Sequence, residues 1–238
     1  MDPDLRYALE LADVADAVTL PRFRAADLRV ETKPDLTPVT DADRAAERAL
    51  RERIAKDRPG ERVLGEEEGD GGGGSVRWTV DPIDGTRNFS RGLPVWATLV
   101  ALERAGEVVC GVVSAPALGR RWWATRGGGA FADGQPIRVS SVSELAHASV
   151  SCTHGRDLAR IEPVVWHARG LGDFWQHVLV AEGALDAALD AELALWDHAA
   201  LEPIVAEAGG RMSALENGQW LSSNGVLHDA VTTALSAA

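Results

Sequence analysis

From residue 76 to 132 the chain runs through five short β-type segments, "VRWTVDPID", "WATLVALE", "EVVCGVVSAPAL", "RRWWATR" and "AFADG", parted by Gly, Pro and Asn turns. Such a block must form a sheet, and its apolar residues must be covered by other elements. The flanking sequence supplies helices. Leu5, Leu9, Ala12, Val14, Ala15, Val18 and Phe23 recur at helical spacing and predict one amphipathic helix over residues 4–24. Thr40 or Asp41 caps a second helix, roughly 42–57, which "DRPGE" ends. Between them "RVETKPDLTPVT" holds two prolines and reads as extended or turned. "RVLGEEEG" reads as a short strand running into an acidic turn, and "DGGGGS" as the most flexible piece of the chain.

The "AGE" turn at 105–107 reads as a hairpin. Beyond residue 140, "ASVSCT" and "ALDAALD" read as strands. Residues 155–168 and 173–183 read as helices, and "DHAALEPIVAEAG" as a helix ended by Gly209-Gly210. No repeat and no linker divides the chain. The expectation is a layered α/β fold, one unit over 1–238, with sub-lobes of about 1–139 (nearer α+β) and 140–238 (α/β).

Composition narrows the function classes. No apolar run reaches the roughly 18 residues that cross a bilayer, and the first residues carry acids where a secretory signal carries bases. A cytoplasmic protein without membrane contact is expected. The net charge of −12 repels phosphate backbones, so nucleic acid is not an expected partner. The same acidity allows another reading, in which some carboxylates are cation ligands. Cys110 and Cys152 lie in strand-like runs and read as buried, reduced thiols, and no Cys pair has zinc spacing.

One short stretch carries chemistry: "WTVDPIDGTRNF". "WTV" is a strand, and Pro82 cannot continue a central ladder, so Asp81 is expected at the strand's end and Asp84 in the turn beyond. A turn there can aim Asp81, Asp84 and the Ile83 carbonyl at one point, a donor set that suits Mg²⁺. Gly85 permits an unusual backbone angle, and N–H groups around Thr86 can meet an anion. Metal ligands beside an anion site are what phosphoryl transfer requires. Glu66 and Glu67 end the strand of "VLGEEEG", Asp41 and Asp43 follow "TPVT", and Asp197 follows Trp196 at a helix start. Taken singly, an Asp before a helix is an N-cap and "EEEG" is a solvated turn.

"GEE" (65–67), "DPIDGT" (81–86) and "WDHAALEPIVAEAGG" (196–210), with "DLTPVTDAD" upstream, resemble the signatures of the inositol monophosphatase family over nearly the whole chain. The resemblance implies that family's αβαβα sandwich and a Mg²⁺-dependent phosphomonoesterase with two to three ions per site. It implies that Glu66, Asp81 and the Ile83 carbonyl hold the first ion, and Asp81, Asp84 and Asp197 the second. A third, weaker ion would sit near Glu66 and Glu67. Gly85 and Thr86 would meet the phosphate. Thr86, hydrogen-bonded to Asp41, would help Glu66 orient and deprotonate the attacking water. A homodimer is expected on the same ground.

"RGLPVWATLVAL", "VVSAPALGRRWWATRGGGAF" and "GDFWQHVLVAEGALD" resemble the histidinol-phosphatase branch of that family. Histidinol phosphate carries an ammonium and an imidazole, so its pocket wants a carboxylate and an aromatic face. Asp173 and Asp190 are the candidate carboxylates; Asp173 could instead cap the helix that follows it. Trp175, Trp96 or the Trp122-Trp123 pair could be the aromatic face, or could be core. Lys33 reads as solvated or as a helper cation, and Arg87 as peripheral. His198 reads as incidental, pointing about 100° away from Asp197. The alternatives are an inositol-1-phosphate or broad sugar-phosphate phosphatase, and a regulatory or RNA-associated protein that keeps the fold without the chemistry.

Overall fold

The computed structural model describes residues 2–236. Helix α1 (Pro3–Arg22), hairpin strands β1 (Val30–Thr32) and β2 (Pro38–Thr40), and helix α2 (Asp41–Asp57) open the chain. Strands β3 (Arg62–Gly65), β4 (Gly69–Gly71) and β5 (Val76–Asp84) follow, then the short helix α3 (Thr86–Ser90). Strands β6 (Ala97–Arg104), β7 (Glu107–Ala115), β8 (Arg120–Thr125), β9 (Gly129–Ala132) and β10 (Gln135–Pro136) complete an eight-stranded sheet in the order β10-β9-β8-β7-β6-β5-β3-β4. A second sheet holds β11 (Ser149–Cys152), β12 (His167–Arg169), β13 (Ala187–Asp190), β14 (Arg211–Ala214) and β15 (Trp220–Ser223) in the order β12-β11-β13-β15-β14. Among them run α4 (Gly155–Ile161), α5 (Asp173–Ala181), α6 (Leu195–His198) and α7 (Leu201–Glu207), and α8 (His228–Ser236) closes the chain.

The layers follow from where the apolar side chains go. Leu5, Leu11, Ala12 and Ala15 of α1 and Leu50 and Ile54 of α2 cover Trp78, Val80, Val100, Leu102 and Val112 on one face of the large sheet. Its other face, with Leu99, Val113, Trp122 and Ala124, meets Phe174 and Val178 of α5 and Leu201, Ile204 and Val205 of α7. Ile161 of α4 and Val231 and Leu235 of α8 cover Val150, Leu189 and Leu221 of the small sheet. Val180 of α5 packs with Ala188 on the small sheet's other face, so both faces of each sheet are shielded, giving the expected αβαβα sandwich.

Two helices are shorter than their sequence pattern predicts, each because of a proline. The segment read as helical over 155–168 stops at Ile161, turns through a 3₁₀ stretch at Glu162–Val164 and re-emerges as β12, which pairs parallel with β11. Pro163 lacks the N–H that would continue the ladder. The stretch read as one helix from Asp197 is two, α6 and α7, because Pro203 cannot donate to the Ala199 carbonyl four residues back. The "AGE" hairpin stands: Ala105 and Gly106 both take positive φ, the conformation that matches strand twist in two-residue loops. Part of "DGGGGS" is ordered, because β4 pairs antiparallel with β3. Among the described residues no helix is long and apolar enough to cross a membrane.

Helix α7 is wedged between the two sheets, and its Ile204 is fully buried. Ile204→Ala should therefore lower stability by about 2–5 kcal/mol, read from urea unfolding. A loss below about 1 kcal/mol would show that the central layer is loosely packed.

Candidate active site

Residues three apart on a regular strand face opposite ways, yet Asp81 and Asp84 share one cavity. The reason is a β-bulge. Pairing of β5 with β6 shifts between Asp81↔Leu99 and Asp84↔Ala97, placing one extra residue on β5. The strand therefore does not end at Asp81, as the proline suggested; it continues to Asp84. Pro82 is tolerated because bulge residues leave the ladder, so its missing N–H leaves no partner unpaired. The Pro82 carbonyl accepts from the Thr98 hydroxyl at 2.8 Å, and the Ile83 N–H donates to Asp81 Oδ1 at 2.9 Å. Gly85 then takes φ +86°, and a Cβ there would meet the Val95 carbonyl oxygen at 3.0 Å, so this position needs glycine.

The α6 turn brings Asp197 to the same place, with its Oδ2 accepting from the Ala194 N–H at 2.8 Å. Oxygens of Asp81, Asp84 and Asp197 all lie within 4.8 Å of one another. Burial, then the charge of Glu66 and the other two aspartates, pushes Asp81 well above the ordinary carboxylate range. Asp84 is likewise pushed well up by burial and by Asp173 and Asp197, although the Phe174 N–H donates to it at 2.5 Å. Asp197 is raised to about 6, chiefly by burial.

The partner of Thr86 is Asp43, not Asp41. The Thr86 hydroxyl lies 3.2 Å from Asp43 Oδ1 and 2.9 Å from the Ile83 carbonyl. Asp43 is fully buried, and burial raises it to about 6. Asp41 faces outward and pairs with Arg22 at 2.8 Å. The signal that separates them is a capping box. Thr40 caps α2, and Asp43, three residues on, accepts from the Thr40 N–H at 2.9 Å. One carboxylate oxygen caps the helix while the other meets Thr86.

Glu66 and Glu67 also meet a cation that the sequence reading undervalued. Lys33 Nζ lies 2.8 Å from Glu66 Oε1 and 2.5 Å from Glu67 Oε1. Burial opposes its charge, but the two carboxylates outweigh it and raise the ammonium. A second residue, Glu47, carried no signal beyond its place on a helix. It is fully buried and accepts from the N–H groups of Glu67 at 2.7 Å and Glu68 at 3.0 Å, fixing the acidic turn. A Cβ at Gly65 would fall 2.2 Å from Glu47 Oε1, so this approach needs glycine as well.

Glu66, Asp81, Asp84, Gly85, Thr86 and Asp197 line a cavity of about 410 Å³, while Lys33, Asp43, Glu47 and Glu67 stand behind its lining. Its far wall holds Asp173, His177, Asp190, Glu192 and Trp196, with Arg87 at the side. Asp173 is the first residue of α5 and takes φ +51°, a strained angle outside glycine. Its carboxylate accepts from Asn88 Nδ2 at 3.0 Å, and burial raises it to about 6. Asp190 behaves oppositely. Burial pushes it up, but contacts with His177, Thr153 and the Ala191 N–H hold it below the ordinary range. The tryptophan that lines the cavity, beside Phe174, is Trp196, which the sequence did not single out. Trp96 and Trp122 are buried core, Trp123 stacks on Phe131, and Trp175 packs against Trp122. His198 lies outside the cavity, stacked on Trp220 with its Nδ1 2.5 Å from Glu202.

A sequence profile of the inositol monophosphatase family matches residues 1–237. The chain belongs to this family. It is 52% identical to the histidinol-phosphatase of Mycobacterium tuberculosis, over 98% of each chain. It is 49% identical to that of Streptomyces coelicolor, over 95% of this chain and 94% of that one. The Thermotoga maritima IMPase superimposes with a TM-score of 0.90 at 32% identity, over 99% of this chain and 98% of that one. Enzymes of this family are metal-dependent, and the site passes the test that this sets. Its donors are hard carboxylate oxygens, gathered closely enough for one ion to touch all three.

The crowded acids set a pH dependence. Asp43, Asp173 and Asp197 titrate near 6 when folded, and Asp81 and Asp84 are also raised. A carboxylate with a raised folded pKa binds its proton more tightly than the unfolded chain does, so stability rises as pH falls through the folded value. The metal-free protein should therefore gain melting temperature between about pH 7 and pH 5, and millimolar Mg²⁺ at pH 7.5 should raise it too. Thermal melts in chelator and in Mg²⁺ read both; a flat pH profile in chelator would show that the acids do not repel.

Proposed function

We propose that this chain is a Mg²⁺-dependent phosphomonoesterase that hydrolyses L-histidinol phosphate to L-histidinol and phosphate. One observation carries the reading: the Asp81, Asp84 and Asp197 cluster stands in the same cavity as Asp173 and Asp190. The cluster suits cations at a phosphate, and the far wall offers carboxylates to an organic cation. The identity to two histidinol-phosphatases supports the same substrate. The whole chain acts as one catalytic unit. A homodimer belongs to the reading as well, supported by Trp166, which is 70% exposed beside edge strand β12.

Glu66, Asp81 and the Ile83 carbonyl would hold one ion, Asp81, Asp84 and Asp197 a second, and Glu66 with Glu67 a third. Bound Mg²⁺ would polarise the ester and acidify the attacking water. The chain's own groups do the rest. Thr86, aligned by Asp43, orients the water, and a Glu66 carboxylate oxygen accepts its proton. The Gly85 and Thr86 N–H groups meet the phosphate. Asp173 and Asp190 face the ammonium, and Trp196 offers its ring to the imidazole. An inositol phosphate would present only neutral hydroxyls to that acidic wall. A binding protein without chemistry would have no use for the clustered acids.

Asp84→Asn should cut kcat by at least about a hundredfold, and excess chelator should abolish turnover. Full activity in chelator would overturn the metal mechanism. Asp43→Asn should lower kcat at least about tenfold, while Asp41→Asn stays within about twofold; the reverse order would restore Asp41 to the site.

Asp173→Asn should raise KM for L-histidinol phosphate about tenfold to a hundredfold, since a partly desolvated charged contact is lost. KM for glycerol 2-phosphate, which has no amine, should change far less. The decisive comparison is kcat/KM for L-histidinol phosphate against inositol 1-phosphate on the unaltered enzyme. Preference for the inositol ester would replace the substrate proposed here.

A further inference from the structure

Behind Asp190 lies a buried polar assembly that the reaction described above does not use. Gln176 and His177 of α5 are both fully buried, in a helix otherwise rich in apolar residues. Long polar side chains are seldom placed there without hydrogen-bonding work to do. Gln176 Nε2 donates to Asp190 Oδ2 at 2.9 Å and to Thr153 Oγ1 at 2.9 Å. Its amide has one workable orientation. The Ser151 hydroxyl accepts from the Leu171 N–H at 3.2 Å and gives its single proton to Gln176 Oε1 at 2.8 Å. A flipped amide would set an oxygen against both the Asp190 carboxylate and the Leu189 carbonyl, neither of which can donate.

His177 braces the same carboxylate from another side. Its Nδ1 lies 2.8 Å from Ser222 Oγ, which fixes the ring, and its Nε2 lies 3.5 Å from Asp190 Oδ2. That is too long for a full hydrogen bond, and Nε2 has no other partner among the described residues. The remaining Asp190 oxygen, Oδ1, accepts from the Ala191 N–H at 2.8 Å. Helix α5 thus supplies two groups to one side chain, and Ser151 of β11 and Ser222 of β15 steady those two groups in turn. Among the described residues the Asp173 carboxylate, on the same wall, accepts a hydrogen bond from Asn88 alone.

We propose that Gln176 and His177 are positioning residues that hold Asp190 in place as the cation-recognising carboxylate of the cavity, and so set the preference for a substrate with a positively charged organic part. This rests on the reading that Asp190 meets the substrate's cation. It goes beyond that reading in assigning the selectivity to residues that hold the carboxylate rather than meet the substrate. The fixed carboxylate needs no reorganisation when the cation arrives, whereas a freely rotating one would have to be ordered on binding.

The readout is the KM for L-histidinol phosphate divided by the KM for glycerol 2-phosphate, measured on the Mg²⁺-loaded enzyme. Asp190→Asn is the reference and should raise the ratio at least about tenfold. Gln176→Met removes the amide at nearly constant volume, and His177→Asn keeps a partner for Ser222 while withdrawing the Nε2 end. Each should raise the ratio about tenfold, with a kcat ratio that moves less than about threefold. His177→Gln, which reaches as far as Nε2, should recover most of the loss. Thr153→Val, at an exposed position, should raise the ratio about threefold and keeps the test available if a buried variant does not fold. If Asp190→Asn raises the ratio while the folded Gln176, His177 and Thr153 variants do not, this proposal fails and the role of Asp190 stands. If Asp190→Asn leaves the ratio unchanged, both fall. Equal losses on the two esters in His177→Asn and His177→Gln alike would mark a purely structural role and overturn it.

Discussion

Mutual repulsion among Asp43, Glu66, Asp81, Asp84 and Asp197 is the constraint that the fold has to manage. Coulomb repulsion at these separations would spread free side chains apart, and burial strengthens it. Four of the five are tethered by a backbone N–H. Ile83 donates to Asp81, Phe174 to Asp84, Ala194 to Asp197 and Thr40 to Asp43. Glu66 is held through its neighbours, whose N–H groups are gripped by Glu47, and through Lys33. An N–H cannot move without its chain, so each tether converts a side-chain position into a backbone position.

The Phe174 tether has the widest consequence. It ties the start of α5 to the bulge of β5 across the cavity, and it places Asp173 at φ +51° just before it. A strained residue persists only where its surroundings over-determine it. Here Gly172, the Asp84 bond and the Asn88 bond to the Asp173 carboxylate all fix the same corner. The far wall and the cation cluster are therefore parts of one rigid arrangement.

How far the sequence foretold this depended on whether a residue's role was local. "DPIDGT" was legible because a glycine, a proline and two acids within six residues leave few geometries open. Even so the strand's extent was misjudged, since Pro82 rules out a ladder bond but not a bulge, and a bulge shows only against the partner strand. Asp43 and Asp41 differ by two residues and by opposite faces of α2. The capping box Thr40-x-x-Asp43 was the local signal, and its double use was visible only once Thr86 stood beside it. Lys33, Glu47, Gln176 and His177 make contacts with residues 13 to 45 positions away in sequence. No spacing rule reaches that far. The tryptophans misled for a related reason, because four side chains looked fit for a pocket that a fifth, Trp196, lines, and only the fold decides between them.

The cavity's charge would let cations and a cationic substrate belong to the same design. Its lining includes the carboxylates of Asp35, Glu66, Asp81, Asp84, Asp173, Asp190, Glu192 and Asp197 against the single guanidinium of Arg87. Raised affinities for protons relieve part of that charge at the floor, yet Asp190 stays ionised on the wall. A phosphate dianion entering such a space alone would meet repulsion from every side. Divalent cations at the floor would reverse the sign there without altering the wall, which would stay negative. With the cations bound the site would be polarised along its length, positive where the proposed phosphate docks and negative along the wall of Asp173 and Asp190. A phosphate ester with an ammonium at its other end matches both halves in one orientation only. An uncharged polyol matches the first half and leaves the carboxylates of the second to be desolvated without a counter-charge, which costs binding. Selectivity of this kind needs no contact to the reacting phosphorus, so it can be tuned by residues such as Gln176 and His177 while the floor that does the chemistry is left as it is.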